Sequence, residues 1–247
     1  MSPPIRPPVH GVETWVFDLD NTLYPPEQGV FEEINARMTR FIMDALDAPR
    51  AEADALRRRY WGRYGATLKG LMVEHGVSAE RFLDYVHDVD LSPLRPAPGL
   101  AALIAALPGR KIVHTNGSRA HADRVLARLG VAGAFEARYG IEDSGFTPKP
   151  ARVAFERVMA AAAAAPERAL MIEDDARNLE APRALGMRTV WIRAETRPAG
   201  PAGEAAPDAP PPWVEHTAPA LEGFLRAALA ALTPSDDRPA PGSPGAD

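Results

Sequence analysis

Asp18 and Asp20 close a short apolar stretch in the run Phe17-Asp18-Leu19-Asp20-Asn21-Thr22-Leu23-Tyr24. If residues 12–19 form a strand, side chains two apart share a face, so the two carboxylates point the same way. Anions held that close repel unless a cation or a proton on one of them neutralises the pair. The pair therefore suits a divalent metal and an oxyanion ligand; a turn in which Asp and Asn bond only to their own backbone is the plainer alternative. Three more polar clusters end apolar runs. Ile112-Val-His-Thr115-Asn116-Gly117 offers a hydroxyl, an amide and a glycine, which suits donation to an oxyanion, although Thr-Asn-Gly is also an ordinary turn. Phe146-Thr-Pro148-Lys149-Pro150 sets a lysine between two prolines that stiffen the backbone on either side. Met171-Ile-Glu173-Asp174-Asp175 gathers three acids, a costly arrangement unless a cation sits there.

The elements that must carry these residues are legible as alternating patterns. Apolar runs at 15–17, 111–115, 138–141, 169–172 and 189–192 read as buried strands, and 100–107, 120–129, 151–163, 179–185 and 221–232 read as helices. Such alternation predicts an α/β fold with a parallel sheet covered by helices on both faces. Gly130 and Gly186 lie just past two of the helices, where a left-handed C-cap favours glycine. About 90 residues separate the first two strands, far too many for a loop. Phe31, Ile34, Met38, Phe41, Ile42 and Leu46 recur there at helical spacing, followed by helical patterns at 51–64 and 79–89. The expected organisation is a discontinuous core, 11–24 and 97–232, with a helical insertion at 25–96 leaving the C-terminal end of the first strand. Open α/β sheets place their ligands at that end, so the insertion can cover a site. Residues 1–10 and 233–247 read as disordered tails, and 195–212 as a Pro/Ala-rich loop.

Composition narrows the classes further. Charged residues at 25% and hydrophobic ones at 46% are ordinary for a globular chain of 247 residues. A formal net charge of −5 argues against a nucleic-acid partner, which calls for a basic surface. Arg57-Arg58-Arg59, the only basic run, fits a solvated helix face. The absence of cysteine excludes disulfides and thiolate zinc, and the six histidines show no helical i, i+4 pair. No secretory signal or membrane span is apparent, so the expectation is a cytoplasmic protein without a membrane partner, as monomer or homodimer.

Taken in order, the four clusters resemble the motifs of the haloacid dehalogenase-like (HAD) superfamily: Asp-x-Asp-x-Thr, a strand-terminal Thr or Ser, a Lys, and an acidic pair. The match falls on Asp18, Asp20 and Thr22, then Thr115, then Lys149, then Asp174 with Asp175, and it spans residues 11 to about 193. The resemblance implies a Rossmann-like core with an all-helical cap inserted after the first strand. It also implies a Mg²⁺-dependent phosphomonoester hydrolase working through an aspartyl-phosphate. Asp18 would be the nucleophile and Asp20 the general acid and base. Mg²⁺ would be bound by the Asp18 carboxylate, the Asp20 carbonyl and Asp174, with Asp175 either a further ligand through water or a supporting group. Lys149, Thr115 and Asn116 would bind the phosphoryl group. Phe17–Pro25, Tyr64–Met72, Val86–Asp88 and Glu173–Leu179 are similar to the pyrimidine 5′-nucleotidase-like branch, which implies a nucleoside monophosphate of the UMP or CMP type. Thr67 and His87 fall in those segments and are the candidates for substrate contact. His114 and Ala176 depart from the branch's usual residues. Rival readings are a phosphatase for a sugar phosphate or phosphoglycolate, a dehalogenase, a receiver domain, and a non-catalytic phosphate-binding regulatory protein.

Overall fold

The computed structural model describes residues 7–194 and 209–233. Within them Thr14–Phe17 (β1), Arg110–His114 (β2), Ala137–Tyr139 (β3), Ala169–Glu173 (β4), Arg188–Ile192 (β5) and His216–Ala218 (β6) form one parallel sheet, ordered β3-β2-β1-β4-β5-β6. The fold is the expected α/β, Rossmann-like one of HAD cores. Strands buried on both faces read as continuous apolar runs, and Thr14–Phe17 and Ala169–Glu173 are buried throughout. The period of two divides them between two cores. Trp15, Phe17, Leu170 and Ile172 face one, while Val16, Ala169 and Met171 face the other.

Val30–Leu46 (α1), Arg50–Tyr64 (α2), Thr67–His75 (α3) and Ala79–His87 (α4) follow β1. Pro98–Ala106 (α5), Arg119–Leu129 (α6), Arg152–Ala161 (α7), Glu180–Ala184 (α8) and Leu221–Leu232 (α9) belong to the sheet layers. Gly130 caps α6 at φ 72° as expected. Two elements go beyond the sequence reading. The edge strand β6 has only three residues, too few for a pattern to register. Helix α3 carries Gly70, a poor helix former. A Cβ there would lie 2.3 Å from the Tyr60 ring, so glycine lets α3 press against α2.

Within the stretch 1–10 expected to be a tail, Val9 is completely buried in the core. Residues 195–208 of the Pro/Ala-rich segment and 234–247 of the C-terminal one lie outside the described residues. Among the described residues no helix is long and apolar enough to cross a membrane.

Candidate active site

Register brings the distant motifs together. Phe17 pairs with Val113 of β2 and Ile172 of β4, and the Asp18 N–H continues the ladder to Ile172 O at 2.9 Å. Asp18 therefore lies beside Glu173, the last residue of β4, with Thr115 just past the end of β2. All three strands end on one edge because all three are parallel.

Lys149 ties these ends together. Its Nζ donates to Asp18 Oδ1 at 2.7 Å, to Glu173 Oε2 at 2.7 Å and to His114 O at 3.0 Å. Thr22 Oγ1 donates to the other Asp18 oxygen at 2.9 Å. Burial, with Glu173 next, raises Asp18 to about 7 against the opposing pull of Lys149. Burial likewise lifts Glu173 to about 7, with Lys149 opposing and Asp174 adding to the rise. Burial works against the charge on Lys149, but Asp18 and Glu173 overcome it and hold the ammonium form above its ordinary range.

Asp20 is held differently. Its Oδ1 accepts from His121 Nε2 at 2.9 Å and from Tyr24 OH at 2.5 Å. Burial pushes Asp20 up, but His121 and then the Tyr24 hydroxyl outweigh it, so the carboxyl sits below its ordinary value.

The phosphate-binding candidates are arranged around Lys149. Thr115 Oγ1 accepts from Gly117 N–H at 2.9 Å, which leaves its own proton to donate. The Asn116 side chain is committed elsewhere: Oδ1 accepts from Lys149 N–H at 2.8 Å and Nδ2 donates to Lys149 O at 3.2 Å. That amide clamps the lysine's backbone; its second Nδ2 hydrogen and the Asn116 main-chain N–H are the donors this residue has for an oxyanion, and Asn116 lines the cavity of the site.

Two tryptophans fix the acidic loop. Trp191 Nε1 donates to Asp174 O and Trp213 Nε1 to Ala176 O, each at 2.8 Å. Asp175 accepts from Arg177 N–H at 3.1 Å and pairs with Arg177 Nη2 at 2.8 Å. Its carboxylate thus braces the turn that follows the strand, and Asp175 also lines the cavity.

A cavity of about 280 Å³ lies between these strand ends and the inserted helices, lined by Asp18, Asp20, Lys149 and Asp174 below and by Phe31, Trp61 and Phe82 above. Thr67 and His87, the candidates for substrate contact, both line it. Thr67 Oγ1 already donates to Arg57 O at 3.1 Å, and His87 Nδ1 lies 3.0 Å from Ser118 Oγ. Burial, above all, lowers His87 to about 3. Among the contacts that seat the inserted helices on the core, two lie beside the cavity. The Arg177 guanidinium lies 3.4 Å over the Trp61 ring. Gly65, at φ 84°, packs so tightly that a Cβ would lie 2.5 Å from Lys149 O.

Glu173, His121 and Tyr24 were not singled out from the sequence. Glu173 had a signal, as the first acid of a run of three. His121 had none, being 101 positions from its partner, whereas Tyr24 closes the run that holds Asp20, four positions away.

Asp18, Glu173 and Asp174 each offer a carboxylate oxygen, all within 4.8 Å of one another. Among the described residues this trio adds Glu173 to the expected Asp18 and Asp174, while the Asp20 side chain, expected to contribute only its backbone carbonyl, turns to His121 and Tyr24. One lysine facing several carboxyls leaves a surplus of negative charge, and hard oxygen donors of this kind fit Mg²⁺.

A family model for haloacid dehalogenase-like hydrolases matches residues 12–186, well over half of the chain. The chain belongs to that family. Similar solved structures include YfnB from Bacillus subtilis bound to magnesium, at 18% identity and TM-score 0.55 over 88% of this chain and 98% of that one. A HAD phosphatase from Thermococcus onnurineus matches at 16% identity and TM-score 0.56, over 88% and 98%. The L-2-haloacid dehalogenase from Xanthobacter autotrophicus matches at 18% identity and TM-score 0.54, over 87% and 97%. At such identities these likenesses speak to the fold.

Proposed function

We propose that this hydrolase cleaves phosphate monoesters through an aspartyl-phosphate. The observation that carries the reading is the pairing of two unlike carboxyls in one cavity: Asp18 held by Lys149 and Thr22, and Asp20 held by His121 and Tyr24. A departing halide needs no proton, whereas an alkoxide is a poor leaving group and needs an acid. Asp20 is therefore useful to an ester and superfluous to a haloalkanoate, which favours phosphatase over dehalogenase.

Asp18 attacks phosphorus in line with the departing ester oxygen. Asp20 protonates that oxygen, then accepts a proton from the water that releases phosphate, work typically worth about 10²–10⁴-fold. Lys149 favours the ionised form of the nucleophile as the anionic substrate approaches, opposing the burial that raises it, and Thr115 donates to a phosphoryl oxygen. Asp18, Glu173 and Asp174 would hold Mg²⁺, which when bound neutralises charge shared by the nucleophile and the phosphoryl group. Electrostatic neutralisation and positioning carry most of the catalysis in phosphoryl transfer.

The substrate we assign is a pyrimidine nucleoside 5′-monophosphate. Support comes from the roof of Phe31, Trp61 and Phe82, rings on which a base can stack. The four inserted helices act as a cap that excludes water during transfer. The test is phosphate release from UMP, CMP, AMP, GMP, sugar phosphates and p-nitrophenyl phosphate, with Mg²⁺ and with chelator. Preference for UMP and CMP supports the assignment, whereas activity that survives full chelation refutes the metal-dependent scheme. Asp18→Asn should abolish turnover in every case.

A further inference from the structure

The Asp20 carboxylate is held on one side only. Both its donors reach Oδ1, and Oδ2 receives no hydrogen bond from the described residues. Asp20 also lines the cavity. A carboxyl fixed in this way leaves Oδ2 to exchange a proton with a leaving oxygen, the negative charge of a bound phosphate opposing the contacts that otherwise hold Asp20 low.

His121 itself is restrained from three directions. It stands in the first turn of α6, whose N-cap Ser118 Oγ accepts the His121 N–H at 3.1 Å. Having accepted that proton, Ser118 Oγ has its own to donate to His87 Nδ1, 3.0 Å away. The His87 ring, at the end of the inserted helix α4, stacks on His121 with centroids 4.4 Å apart and planes within 12°. Both rings are buried. Of the polar atoms of the His121 ring, only Nε2 has a partner, and that partner is Asp20; Nδ1 is buried without one. An apolar ring would pack here without stranding a nitrogen, so histidine costs stability at this position. The contact with Asp20 is what the imidazole adds.

We infer that His121 is the positioning residue of the acid–base step, and that the stacked His87 couples its aim to the seating of the inserted helices. This rests on the phosphatase reading. As Asp18 bonds to phosphorus and the ester P–O bond breaks, the proton on Asp20 Oδ2 passes to the leaving oxygen. In the second half Asp20 recovers a proton from the attacking water, and Asp18 is released with inorganic phosphate. His121 and Tyr24 hold Oδ1 through both halves. The loops for the phosphoryl group and for the acid are then one segment, since Thr115–Gly117 runs straight into the first turn of α6.

The test compares two esters of nearly the same shape, phenyl phosphate and p-nitrophenyl phosphate, with Mg²⁺. Phenol, with a pKa of about 10, needs protonation far more than nitrophenol. His121→Leu should lower kcat/KM for phenyl phosphate by about 30–100-fold and for p-nitrophenyl phosphate by less than about 3-fold, because misaimed proton transfer matters only for the poorer leaving group. His121→Gln, which keeps an N–H near the position of Nε2, should recover most of the loss. Tyr24→Phe, which removes the second donor without touching α6, should show the same selectivity at smaller amplitude and decides the matter if His121→Leu does not fold. Equal losses on both esters, or no loss on phenyl phosphate, would overturn the assignment while leaving the phosphatase reading intact. Failure of the wild-type protein to release phosphate from either ester would overturn both.

Discussion

Replacing the nucleophile should make the metal-free protein more stable, and the size of the gain follows from the burial of Asp18. Its carboxyl is raised from 3.8 to about 7 by burial and by Glu173, with Lys149 opposing. In the unfolded chain it ionises near its ordinary value. The folded state therefore prefers the protonated form, so its contribution is fully present below about pH 4 and is lost as pH rises to about 7. Beyond that the loss is constant. At about 1.4 kcal/mol per pH unit the full loss is on the order of 4 kcal/mol. Asp18→Asn removes the charge and keeps the shape: its carbonyl can still accept from Lys149, and its amide can donate to Thr22 Oγ1. Glu173 then faces Lys149 without a competing anion. Allowing for the weaker neutral hydrogen bond to Lys149, the variant should gain roughly 3 kcal/mol in chelator at pH 8, or about 6–12 °C in Tm for a chain of this size. The gain should shrink toward zero as pH falls to about 4. Mg²⁺ should raise the Tm of wild type at pH 8 and leave Asp18→Asn nearly unchanged. Thermal melts of the two proteins in chelator at pH 4, 6 and 8 decide the question. A variant less stable than wild type at pH 8, or a difference that does not change with pH, would refute the reasoning.

Three other perturbations have definite expected outcomes. Lys149→Met leaves two buried carboxyls unpaired, and breaking such a pair costs about 3–5 kcal/mol; urea titrations should show a large loss at pH 7.5 that is mostly recovered at pH 5, where Asp18 and Glu173 take up protons. Gly65→Ala forces a side chain into a left-handed conformation at a cost of about 1–2 kcal/mol and into contact with Lys149 O; steady-state kinetics should show kcat/KM reduced by about 10-fold or more, since a 1 Å displacement near the chemistry has effects of that size. Trp191→Phe removes the donor to Asp174 O, and Mg²⁺ titration by calorimetry should show affinity weakened by about 10–100-fold, the usual effect of losing a group that orients a ligand.

Strand identity, the helical insertion and the four chemistry-bearing segments were readable from the chain because each depends on local pattern. Apolar runs of strand length ending in polar residues mark buried strands with a site at their ends, and a 90-residue gap between two of them must hold structure of its own. That basis offered Asp18, Asp20, the Thr115 turn, Lys149 and the acids at 173–175 as candidates, and the family resemblance chose Asp174 among the acids. What each side chain touches was a different matter. The Glu173 carboxylate stands with those of Asp18 and Asp174 because β1 and β4 are neighbours in a register that sets Phe17 against Ile172. Asn116 turned out to hold the lysine's backbone across 33 positions. Asp175 bends back to Arg177, a choice between two nearby partners that spacing leaves open. The histidine on Asp20 and its stacked partner come from two helices that meet only after the insertion has docked. A sequence specifies periodicity and residue type within a few turns of chain. The pairing of groups a hundred residues apart is set by strand order and by how closely layers pack, and those exist only once the whole chain has folded.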